Sequence, residues 1–102
     1  MKKLPLFLAL GLLTFSCNKV KTGDVTFWES PTTGAGITVV TLKGVSSNIT
    51  SDYATAPSCG ASGCAVFNGI EEGIYTYTAT DGTTNWSGTV DVTEGCTTVE
   101  LY

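Results

Sequence analysis

The stretch IYTYTATDGTTNWSGTVDV, residues 74–92, alternates twice between apolar and polar side chains, with a turn signal in between. Successive side chains of a strand point to opposite faces. Tyr75, Tyr77 and Ala79 therefore share one face, with Thr76 and Thr78 on the other. Trp86, Gly88, Val90 and Val92 repeat the pattern against Thr89 and Asp91. Asp81-Gly82, followed by Thr83-Thr84, supplies the residues that reverse a chain between two such strands. The segment reads as a hairpin with one apolar face. An isolated hairpin is marginal in water, so that face requires further strands to cover it.

Working outward, the same β-branched and aromatic bias predicts strands at 24–28, 37–43, 47–53, 64–68 and 97–101, besides 74–80 and 85–92. No window carries a helical period. Parity assigns Val25 and Phe27 to one core row, Ile37, Val39 and Thr41 to another, and Val99 and Leu101 to a third. The turn Thr93-Glu94-Gly95-Cys96 predicts that the last three strands form a meander. The expected fold is all-β, an antiparallel β-sandwich of about seven strands. The segment Ala54 to Gly63 is the longest stretch outside a strand.

Val66 to Ala79, VFNGIEEGIYTYTA, resembles the hairpin of carboxypeptidase-regulatory-like and collagen-adhesin B-type domains, and GTVDVTEGCTTVEL, residues 88–101, is similar to their closing strands. The resemblance implies a prealbumin-like sandwich, with an immunoglobulin- or fibronectin-III-like sandwich as the alternative. Gly73 is expected to leave the turn with positive φ, so that Tyr75 enters the core beside Phe67. The internal isopeptide of many adhesin domains is not expected, because Lys43 is the domain's only lysine and the last strand has no asparagine.

The other end of the chain speaks to location. Met1-Lys2-Lys3 is basic, Leu4 to Leu13 is a nearly unbroken apolar run, and Thr14-Phe15-Ser16 leads into Cys17. That is the layout of a secretory signal, and the run is too short to span a bilayer. The cysteine placed there resembles a bacterial lipoprotein's lipobox. By that resemblance residues 1–16 are removed, the Cys17 thiol takes a diacylglyceryl group, and 17–23 form a tether to a domain at 24–102. Asn18 after the cysteine implies the outer membrane.

Composition then restricts chemistry. The chain has no histidine and no arginine, and five lysines face nine acids for a net charge of -4. Nucleic acid is not an expected partner, because phosphate backbones are gripped by clustered Lys and Arg. Histidine-based triads and His-rich zinc sites cannot be built. No catalytic residue, metal site or cofactor is expected, and Glu71-Glu72 reads as a solvated acidic turn. With Cys17 lipidated, Cys59 and Cys64 are expected to pair across the small residues of CGASGC; a pairing of Cys96 with either is the alternative. Trp28, by parity opposite the Val25 and Phe27 row, and Tyr53 are the candidate binding aromatics. The expectation is a non-catalytic envelope module held at the membrane by its lipid, with a protein or glycan partner. The alternatives are a small carbohydrate-binding or hydrolytic surface protein and an accessory subunit of a larger envelope complex.

Overall fold

The computed structural model describes residues 20–31 and 36–102; the signal-like segment and Cys17 lie outside them. Seven strands follow one another: β1 (Thr22–Glu29), β2 (Thr38–Leu42), β3 (Val45–Ile49), β4 (Ala65–Glu71), β5 (Gly73–Thr80), β6 (Asn85–Val92) and β7 (Gly95–Leu101). They form a three-stranded sheet in the order β4-β1-β7 and a four-stranded sheet in the order β3-β2-β5-β6. No helix occurs among the described residues. The two sheets enclose a core of Val25, Phe27, Val40, Leu42, Ile49, Ala65, Phe67, Ala79, Val90, Val92 and Leu101, so the architecture is the expected β-sandwich.

The 74–92 hairpin forms as its alternation requires, with Tyr75 opposite Val90, Tyr77 opposite Gly88 and Ala79 opposite Trp86. Phe27 joins the two inner faces, edge-on to Phe67 at 5.7 Å and tilted against Tyr77 at 4.9 Å. Gly88 has a specific role there, because a Cβ would come within 2.9 Å of the Tyr77 hydroxyl and 3.1 Å of its ring. The missing side chain lets the tyrosine lie across its cross-strand neighbour. At Gly73 the backbone turns through φ 153 between the two sheets, and Tyr75 reaches back to donate its hydroxyl to the Glu71 carbonyl at 2.6 Å.

The predicted meander does not form. β7 leaves β6 and crosses to the other sheet, where it pairs parallel with β1 from Gly23 opposite Gly95 to Glu29 opposite Leu101. The turn residues at 93–96 mark a reversal, but they do not specify which strand the chain then joins. The crossing is tied down by Glu72, whose carboxylate accepts the Glu94 N–H at 3.1 Å. The acidic turn therefore has a structural role besides being solvated.

The second correction concerns β2. Its core row is Thr38, Val40 and Leu42, whereas Ile37 is 56% exposed and Val39 and Thr41 are only half-buried on the outer face. Apolar residues occupy both parities of this strand, so alternation alone leaves its face undecided. The turn decides it: Lys43 and Gly44 both have positive φ, 53 and 75, the geometry of a two-residue hairpin that sets Leu42 opposite Val45. That turn also moves β3 to 45–49 from the expected 47–53, and the residues after Ile49 become loop. β1 begins at Thr22, within the stretch read as tether, because Thr22 pairs with Glu71.

Truncating Leu42 to Ala should therefore cost about 2–5 kcal/mol, the usual range for a buried leucine, while Ile37→Ala should stay within about 0.5 kcal/mol. Urea unfolding of the two variants beside the parent measures both. An Ile37 effect larger than the Leu42 effect would reverse the assignment of faces.

Candidate functional site

β1 is buried on both faces, and what covers its outer face determines the fate of most residues singled out from sequence. Residues 50–64 form a loop closed at its neck by Thr50 and Ser51, whose N–H groups both donate to the Gly63 carbonyl at 2.8 and 3.2 Å. Gly63, at φ 80, allows that approach, since a Cβ there would meet Ser51 at 2.6 Å. From this neck the loop lies back over the three-stranded sheet. Gly60 N–H donates to Thr26 Oγ1 at 2.9 Å, and Tyr53 N–H donates to the Glu29 carbonyl at 3.0 Å.

Neither aromatic proposed for binding is available. Parity correctly puts Trp28 opposite the core row, but its face is covered and the side chain is only 6% exposed. Tyr53 is half-buried and donates its hydroxyl to the Ser62 carbonyl, bracing the loop internally. Single-strand alternation distinguishes two faces; it carries no information about a distant loop that covers one of them.

The same loop overturns the expected disulfide. Cys59 pairs with Cys96, 37 residues away with Cα atoms 6.3 Å apart, and Cys64 is a free, buried thiol. Cys64 is the residue before β4, its N–H held by the Ala61 carbonyl at 3.3 Å. Cys59 instead sits beside Gly60 over the centre of the sheet, where Cys96 opens β7 and lies 3.9 Å from Thr26 Oγ1. On the chain-entropy model a loop of this length contributes about 4 kcal/mol, against about 2 kcal/mol for a link from Cys59 to Cys64. Burial pushes the Cys64 thiol above its ordinary value, so it remains protonated at neutral pH.

A carboxylate that sequence reading passed over lies at the end of β1. Glu29 is 4% exposed and accepts the Thr38 hydroxyl at 2.9 Å, a bond that joins the two sheets. Loss of water raises its pKa, the hydroxyl opposes that, and the charges of Asp81 and Asp52 add to it. Of the nine acids only Asp81 and Asp52 act on it, and no group of three His, Cys, Asp or Glu among the described residues could hold a metal ion.

The concave features lie elsewhere, on either side of β6. Between the edges of β6 and β7 a cleft of about 450 Å³ opens over Tyr77, Trp86, Val99 and Leu101, with Ser87, Thr98, Glu100 and Tyr102 at its margins. On the outer face of the four-stranded sheet a depression of about 390 Å³ is lined by Val39, Thr41, Thr78, Thr80, Asn85 and Ser87. Trp86 and Ser87 border both. Sequence parity correctly gave Trp86 to the inner row; its place on an edge strand, where the inner row meets solvent, depends on sheet order. The cleft presents aromatic rings, the hydroxyls of Tyr77, Ser87, Thr98 and Tyr102 and the Glu100 carboxylate, a set suited to holding a ligand. Compared with known proteins, the chain matches no family model and no characterised relative.

Two outcomes test this arrangement. Non-reducing peptide mapping should recover a peptide linking Cys59 to Cys96, and alkylation should reach Cys64 only after unfolding; a Cys59–Cys64 peptide would refute the pairing. For Glu29 the sign follows from its raised native pKa: the unfolded chain ionises first as pH rises, so stability is greatest below the ordinary glutamate range and falls as pH passes through the native value. Glu29→Gln retains an acceptor for Thr38 and removes the charge. It should raise the melting temperature at neutral pH and flatten the decline between acid and neutral pH, as followed by thermal unfolding across that range.

Proposed function

We propose that this chain is a non-catalytic, lipid-anchored module of a bacterial cell envelope, a small β-sandwich with a structural or binding role at the membrane surface. The observation that carries the reading is the Cys59–Cys96 disulfide. Such bonds persist in oxidising compartments outside the cytosol, the destination to which the Met1–Cys17 layout also points. Cys17 takes the lipid, Asn18 favours the outer membrane, and the domain from Thr22 onward faces the aqueous side. Two or more acyl chains give stable anchoring where one is marginal. The likeness of residues 66–79 to prealbumin-like surface modules agrees with such a role.

A second reading, glycan binding, transfers from Trp28 and Tyr53 to the cleft at Trp86. It is favoured by the aromatic lining there, since flat rings stack on sugars.

Intact-mass measurement of protein extracted from membranes should show acyl mass on Cys17, and Cys17→Ser should release the protein from the detergent phase. Unmodified Cys17 in membrane-extracted protein would refute the anchor.

A further inference from the structure

The four sheet edges are treated unequally. On one side β3 is only five residues long, and β4 carries a bulge where its register against β1 slips, with Gly69 at φ 68 and its N–H donated to Asp24 Oδ1 at 3.0 Å. Short strands and bulges are the usual protections of an edge against pairing with another chain. On the other side β6 and β7 run eight and seven residues with unbroken register against their inner neighbours. Neither contains proline or lysine. The three-stranded sheet is also one strand short of the sheet it faces. The cleft over Tyr77, Trp86 and Val99 opens along the outer edge of β7.

From these features we infer that β7 accepts an extended segment of another polypeptide as an added strand, which extends the three-stranded sheet and lays alternate side chains over Trp86. Main-chain hydrogen bonds to the β7 edge supply affinity, and the cleft selects the side chains. Charge identifies the rest of the partner. Asp91, Glu94 and Glu100 lie on or beside these edges, while the described lysines, Lys21 and Lys43, lie on neither strand. The segment therefore carries lysine or arginine at its ends. A second copy of this chain is disfavoured, because two such flanks, each carrying Asp91, Glu94 and Glu100 and no lysine, would bring acidic surfaces together. The inference names a partner for the binding role proposed above, and it rests on the sandwich rather than the anchor, so the acyl-mass result and this one fail separately.

The test uses the full-length protein in detergent. One probe is a synthetic peptide of alternating valine and threonine with lysine at both ends; another is the same peptide N-methylated at alternate residues to remove its donors. The parent peptide should bind saturably, shift tryptophan emission, and slow amide exchange in β7 at residues 98–101. N-methylation should weaken it on the order of tenfold or more, given the loss of several edge hydrogen bonds, and glutamate ends should also weaken it. Trp86→Phe should retain the exchange protection and lose the emission shift, which assigns that signal to the cleft. Equal binding of the methylated peptide overturns strand addition, as does protection on β3 or β4 instead of β7. Saturable binding of a neutral oligosaccharide such as maltotetraose without peptide binding overturns it in favour of glycan, and a dimer formed without peptide overturns it in favour of self-association.

Discussion

Strand β1 is the central strand of a three-stranded sheet and is enclosed on both sides: Val25 and Phe27 face the core, while on the opposite face Thr26 accepts the Gly60 N–H of the loop 50–64 and Trp28 is buried. A sheet this narrow cannot leave a tryptophan face in water without losing the stabilisation that burial of a large aromatic brings. The loop that covers it is irregular and must satisfy its own backbone polar groups. It does so through its neck at Gly63, the Gly60 bond to Thr26 and the Tyr53 bonds to Glu29 and Ser62. The Cys59–Cys96 bond then fixes the loop to β7, the strand that β1 holds in parallel register. Cover, disulfide and the parallel pair form one assembly around β1.

That assembly consumes the chain's most conspicuous residues. Tyr53 and two of the three cysteines in the domain serve to hold the loop in place, Trp28 is buried, and Glu29 with Thr38 closes one end of the sandwich. The edges of β6 and β7 lie open beside the cleft lined by Tyr77, Trp86 and Val99. A domain with a bulge in β4 and a short β3 on one flank, and regular β6 and β7 on the other, has two unlike flanks.

The buried carboxylate and the cleft also occupy separate places in this molecule. The buried glutamate, raised in pKa by desolvation and by neighbouring acids, lines neither concave feature. Its cost is borne at the end of the core, where one hydroxyl partner offsets part of it. The cleft depends on packing alone: Gly88 gives Tyr77 room to lie across β6, and Phe27 supports that ring from below.

The sequence by itself determined the local elements. Alternation in residues 74–92 gave both strands and their inner rows, the Asp81-Gly82 turn gave their pairing, and Gly73 gave the positive φ before Tyr75, because each depends on neighbours a few residues apart; the hairpin expected across Val66 to Ala79 is instead a crossing, with β4 and β5 in different sheets. It failed where the deciding partner lies far along the chain or where two parities compete. In β2 apolar residues on both faces left the choice to the Lys43-Gly44 turn and its register. The partner of β7 was chosen by the open edge of β1 rather than by the turn before it. Cys59 paired with Cys96, and Trp28 became buried, because a loop folded back across a sheet edge, and proximity of that kind follows from the packing of whole sheets, to which local spacing is blind. The open flank of β6 and β7 is likewise a property of strand order, which only the tertiary structure decided.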